Sequence, residues 1–91
     1  MKYRQLGRTG LYVSEICLGT MTFAGQGAQW QQIGQVDQNG VNALLDCALK
    51  AGVNFIDTAD VYSEGQSEVL LGQALRDVKV RREDVIIATK V

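Results

Sequence analysis

The chain has no histidine and no proline among its 91 residues, two cysteines, and 7% aromatics. Without histidine, Cys-His and Ser-His nucleophile pairs and most zinc sites are excluded from these residues. Cys17 and Cys47 each sit in an apolar stretch, and neither has a second ligand nearby at metal spacing. They read as two buried, reduced thiols, and no metal is expected. No apolar run approaches the roughly 20 residues needed to span a bilayer. The opening Met1-Lys2-Tyr3-Arg4-Gln5-Leu6 lacks the apolar core of a signal peptide, so the expected localisation is cytoplasmic. Charge of either sign is also scarce in excess: the net charge is -1. That balance gives no argument for nucleic acid or an anionic membrane as partner. The missing proline carries no functional argument. The remainder, 46% hydrophobic and 21% charged, is ordinary for a soluble globular protein.

Along the chain, Lys2 to Leu6, then Gly7-Arg8-Thr9-Gly10, then Leu11-Tyr12-Val13 reads as a β-hairpin punctuated by its glycines. Ile16-Cys17-Leu18-Gly19 reads as a short buried strand ending at Thr20. Residues Thr22 to Val36, rich in Gly and Gln around Trp30, show no helical or strand period and read as a long loop. Asp37 looks like a helix N-cap. Val41, Leu44, Leu45, Ala48 and Leu49 fall on one helical face, and Gly52 closes the helix. Val53 to Ile56 is an apolar strand. Ser67 reads as the N-cap of a second helix carrying Leu70, Leu71, Ala74, Leu75 and Val78. Lys79 to Asp84 is a charged loop, and Val85 to Ala88 is another apolar strand.

The order is a hairpin followed by β-α-β-α-β. Its short strands are apolar throughout, as in parallel strands covered on both faces. Eight units at the spacing of Ile16, Val53 and Val85 would make a (β/α)₈ barrel somewhat above the typical ~250 residues. A Rossmann-like open sheet fits the alternation equally well. It is disfavoured because no G-x-G-x-x-G opens a helix after the first strand.

In a (β/α)₈ barrel the strand ends converge on one rim, where active sites lie. Thr20, Asp57 and Lys90 end three successive strands, and Tyr62 follows the second. Asp, Tyr and Lys at one rim make a proton-delivery device. A free phenol has a pKa of about 10, and a neighbouring ammonium favours its ionised form. Each residue has a plainer reading. Asp57 caps a turn, Lys90 is a solvated strand end, Tyr62 packs on the next helix, and Trp30 covers an apolar end of the barrel. Arg76 to Asp84 reads as a solvated connection on the opposite face. The conjunction of the three, more than any one of them, favours the functional reading.

The motifs also carry a resemblance. Tyr3-Arg4-Gln5-Leu6-Gly7-Arg8-Thr9-Gly10-Leu11, Val13 to Met21, Ala51 to Tyr62, Ser67 to Gly72 and Ile87-Ala88-Thr89-Lys90-Val91 together resemble the N-terminal third of an aldo-keto reductase. The similarity is to the bacterial branch that also resembles the β subunits of voltage-gated potassium channels. It implies an α/β fold: the first three βα-type units of a (β/α)₈ TIM barrel, preceded by a β-hairpin, with residues 1–91 as the N-terminal part of one barrel domain. It implies NADPH-dependent reduction of aldehydes or ketones without metal, with a small carbonyl compound as substrate. In the family's tetrad, Asp57 is the carboxylate, Tyr62 the general acid and Lys90 its partner. By the resemblance, Thr20, Met21, Gln26 and Asp57 are placed against the cofactor, and Trp30 is the substrate-pocket aromatic. The fourth tetrad member, a histidine, and the 2′-phosphate contacts have no counterpart in these residues. The chain is therefore expected to be a fragment, inactive alone, completed by the rest of the barrel in the same or another chain. A homo-oligomer, and a cofactor-binding regulatory role like that of the channel subunits, are left open.

Overall fold

The computed structural model describes residues 1–91. Two short antiparallel strands, β1 (Tyr3–Gln5) and β2 (Tyr12–Ser14), form the hairpin, with Arg4 opposite Val13. A parallel sheet follows, β3 (Leu18–Gly19), β4 (Phe55–Asp57) and β5 (Ile86–Ala88), in that spatial order. Helices α2 (Gln38–Lys50) and α3 (Gln66–Asp77) connect the strands and pack together over one sheet face, while a short turn of helix, α1 (Ala28–Gln31), lies in the long connection before α2.

Register decides which side chains meet the helices. Leu18 pairs with Ile56, and Ile56 with Ile87. This row joins Phe23, Val41, Leu45, Leu71, Ala74 and Val85 in the core. The neighbouring row, Gly19, Asp57 and Ala88, points to the opposite face because strand side chains alternate. That second face is only half-buried. Three strands by themselves do not curl round to cover it. Truncating a fully buried core leucine such as Leu45 costs about 2–5 kcal/mol.

The expected caps of α2 are present. The Asp37 Oδ1 accepts the Gly40 amide at 2.8 Å, and Gly52, at φ +95, donates its amide to the Leu49 carbonyl. A Cβ at Gly52 would lie 2.9 Å from the Met1 side chain, so glycine is required for space as well as for φ. Tyr3 donates its hydroxyl to the Gly52 carbonyl at 2.6 Å. Asn54 accepts the Ser14 amide and donates to the Tyr12 carbonyl. These bonds tie the hairpin to the start of β4, the end of the sheet away from Asp57.

Several expectations are corrected. Ser67 does not cap α3. Gly65, at φ +94, precedes the helix, and the Ser67 hydroxyl donates to the buried Phe23 carbonyl at 3.0 Å. That carbonyl lies in another segment, out of reach of any local pattern. The 22–36 segment is not without structure: α1 lies in it, and Phe23 and Val36 form a parallel bridge. One helical turn is too short to show a period. The first parallel strand is Leu18–Gly19, and Ile16 is 60% exposed. Cys17 and Cys47 are free but exposed, not buried. Cys17 belongs to the sheet row opposite the helices, and Cys47 lies off the Val41–Leu45 face of α2. Leu44, at the fringe of that face, is also exposed.

Candidate active site

Backbone hydrogen bonds continue the sheet past its strands and set the rim. The Thr20 amide donates to the Asp57 carbonyl, the Thr58 amide to Ala88, and the Asp60 amide to Lys90. Asp57 and Ala88 share a row of the sheet. Lys90, two residues on, returns to the same side by strand alternation.

The Lys90 ammonium then has three acceptors. Both Asp57 carboxylate oxygens lie at 2.9 Å, and the Thr58 carbonyl at 2.8 Å. An ammonium has three protons, so this set saturates it. The same nitrogen stands 5.2 Å from the centre of the Tyr62 ring, within cation–π range. Tyr62 in turn meets Trp30 edge to face, with ring centres 5.7 Å apart. The Asp57 hydrogen bonds above all, with the Tyr62 hydroxyl nearby, hold the Lys90 pKa above the usual lysine value. Asp57 and Lys90 are both about half exposed, so water screens their attraction. The pair organises geometry more than it stabilises the fold.

Asp57, Tyr62, Lys90 and Trp30 therefore form one connected group. Thr20 is joined to it through the Asp57 carbonyl. Thr20 is fully buried, and its Oγ1 has no hydrogen-bond partner. Met21 is 45% exposed beside it. Gln26 is exposed on the loop and makes no side-chain hydrogen bond to Asp57, Tyr62 or Lys90. Trp30 is buried and braces the Tyr62 ring.

Sequence reasoning missed four contributors. The Thr58 carbonyl completes the Lys90 shell. The hydroxyls of Ser63 and Ser67 fasten the Tyr62 segment to Phe23. Cys17 lies close enough to Asp57 to feel its charge. Partial desolvation and then that carboxylate push the Cys17 thiol pKa up, so the thiol stays protonated and poorly nucleophilic. Only the Tyr62-Ser63-Glu64-Gly65 composition, with its turn-forming residues, signalled that anything irregular lay here. A further concavity, lined by Leu71, Leu75, Val80 and Ile87 and reaching Thr58, lies between α3 and β5.

The aldo/keto reductase family model matches residues 15–91. A probable voltage-gated potassium channel subunit beta from Oryza sativa subsp. japonica is 42% identical over 91 residues, covering 100% of this chain and 25% of the relative. The uncharacterized oxidoreductase YrpG of Bacillus subtilis (strain 168) is 39% identical over 95 residues, covering 100% of this chain and 26% of the relative. Among solved structures, the aldo-keto reductase AKR11C1 from Bacillus halodurans, in its holo form, superposes with a TM-score of 0.77 at 41% identity, over 100% of this chain and 26% of its own. An aldo-keto reductase from Klebsiella pneumoniae in complex with NADPH does so with a TM-score of 0.65 at 33% identity, over 90% and 25%. The chain thus spans about a quarter of the length of the curated relatives it matches. Its hairpin and three parallel strands correspond to the opening units of their (β/α)₈ barrel. By the match from residue 15 to residue 91, the chain belongs to the aldo/keto reductase family.

Proposed function

We propose that the complete protein reduces small aldehydes or ketones to alcohols with NADPH, and that Asp57, Tyr62 and Lys90 deliver the proton. The observation that carries this reading is the Lys90 ammonium, held by both Asp57 oxygens at 2.9 Å and standing 5.2 Å from the Tyr62 ring. As the hydride acceptor's oxygen gains negative charge, Tyr62 donates its phenolic proton to it. Lys90 keeps positive charge beside the phenol and favours the phenolate left behind. Asp57 keeps Lys90 charged and in place. General acid catalysis of this kind contributes about 10²–10⁴-fold.

The residues present fit the reactive end of a nicotinamide. The buried Thr20 hydroxyl lacks a partner at the rim, and the exposed Met21 thioether and half-exposed Asp57 carboxylate border the same strand ends. When bound, NADPH supplies the hydride. Thr20, Met21 and Asp57 would hold its nicotinamide end, with Gln26 further along the loop. The likeness to a reductase solved with NADPH supports this cofactor.

The test is Tyr62→Phe in the complete protein. Turnover of a reactive aldehyde should fall well over tenfold while NADPH affinity, read by fluorescence, stays nearly unchanged. A fall of less than about tenfold, about 1.4 kcal/mol of barrier, would mean that another group is the acid.

A second reading follows from the similarity to the plant proteins named as probable potassium channel β subunits. In it the cofactor site serves regulation in place of turnover. A panel of small aldehydes separates the two: tight NADPH binding with no steady-state oxidation favours the regulatory subunit.

A further inference from the structure

Ser63 follows Tyr62 directly and is fully buried. A buried hydroxyl needs partners, and this one has two. It donates to the Phe23 carbonyl at 2.8 Å and accepts the Gly25 amide at 2.9 Å. Those partners flank Ala24, which sits at φ +75, a region that residues with a side chain rarely adopt. Ser63 itself opens a run of three left-handed residues, with φ +48, +57 and +94 at Ser63, Glu64 and Gly65. Such conformations persist in non-glycine residues only where the surroundings over-determine them. One hydroxyl therefore ties two strained stretches together.

The same two segments touch again further out. The Trp30 ring meets Tyr62 at 5.7 Å. Gly27 backs onto Glu64 so closely that a Cβ there would lie 2.5 Å from the Glu64 Oε1. The Trp30 loop and the Tyr62 turn form one interlocked unit, and Ser63 is its buried pin.

We propose that Ser63 is a positioning residue for Tyr62, holding the phenol against Trp30 and beside Lys90 through the Phe23–Gly25 bridge. This rests on Tyr62 being the proton donor of the proposed reaction. Without the Ser63 hydroxyl, the Gly25 amide keeps only its return to the Phe23 carbonyl at 3.0 Å. The Ser67 hydroxyl still holds the Phe23 carbonyl at 3.0 Å and the Ala24 amide still donates to Val36, but the tie at Gly25 is lost, so the Trp30 loop is less firmly set against the phenol. A misplacement of about 1 Å at a reacting group can cost about 10²-fold in rate.

The experiment is a double-mutant cycle on the complete protein: wild type, Ser63→Ala, Tyr62→Phe and the double variant, assayed with NADPH and a small aldehyde. Ser63→Ala should lower kcat about tenfold or more while the KM for NADPH moves less than about twofold. In the Tyr62→Phe background, the same change should alter kcat by less than about twofold, because the group it positions is gone. Multiplicative losses in the double variant would mark Ser63 as merely structural and overturn the proposal. If Tyr62→Phe keeps wild-type kcat, the acid assignment fails and this proposal fails with it. If Tyr62→Phe loses activity and Ser63→Ala does not, the Ser63 proposal alone fails. Should Ser63→Ala not fold, Ser63→Gly removes the same hydroxyl while suiting the positive φ, and is read in the same way. Failure of both variants to fold would assign Ser63 to the scaffold and overturn its positioning role.

Discussion

At the scale of single residues, the Asp57–Lys90 contact has a pH signature. The Lys90 pKa is raised above the usual value, first by its hydrogen bonds to Asp57. The stabilisation linked to a raised basic pKa is fully present below the unfolded value, about 10.4 for lysine. It is lost as pH rises through the folded value. On the alkaline side, the pair should therefore persist through neutral pH and dissolve only as Lys90 loses its proton. NMR titration of ¹³Cε-labelled lysine in the complete protein should give Lys90 a midpoint above the usual lysine value. In Asp57→Asn that midpoint should fall back towards the usual value. An unmoved midpoint would show that Asp57 is not what holds the charge.

At the scale of elements, α2 shows how local chemistry and packing divide the work. Its start depends on one side chain, since Asp37 supplies the acceptor for the Gly40 amide. Its long axis is held by Val41 and Leu45 against the sheet. Asp37→Ala should lower stability by about 1 kcal/mol, within the usual 0.5–2 range for a lost cap. The measurement is the denaturant midpoint of the complete protein at unchanged slope. A loss below about 0.3 kcal/mol would mean that water serves the Gly40 amide equally well. α3 has no such side-chain cap. It begins from Gly65 in a left-handed conformation, and its first turn is held from outside by Ser67 on Phe23. Its start thus depends on the long connection between β3 and α2, which makes the Tyr62 turn and that connection cooperative.

At the scale of the whole molecule, the sheet is open. β3 and β5 each have a partner on one side only. Unpaired edges favour pairing with other segments. Ile16, Leu44 and Val69 are substantially exposed, and an apolar groove lies beside β5. A chain this small buries a modest share of its surface, and even a true ~60-residue domain is marginal. Residues 1–91 expressed alone should show no turnover and no saturable NADPH binding in the low micromolar range. Fluorescence titration and a reactive aldehyde test this. Saturable binding together with turnover would show that these residues, or an assembly of them, form a complete site.

Read without its structure, the sequence determines the hairpin, the β-α-β-α-β order, the α2 caps and the three strand-end residues. Each of these is written in local signals: paired glycines, helical periodicity in Val41 to Leu49, short apolar runs, and polar residues at their ends. Motif matching carried the family as well. The tertiary structure alone decided what no local pattern encodes. Strand register put Asp57 and Ala88 in one row and so brought Lys90 to Asp57. Loop packing set Trp30 on Tyr62, a contact that no local pattern announces. Ser67 left the capping role for a carbonyl 44 positions away in sequence. Cys17 and Cys47 came to the surface because apolar neighbours in sequence do not specify which face a side chain takes. The physical reason is common to all four. Hydrogen-bonding capacity and hydrophobicity are properties of a residue, but the partner that satisfies them is set by the register and packing of distant segments.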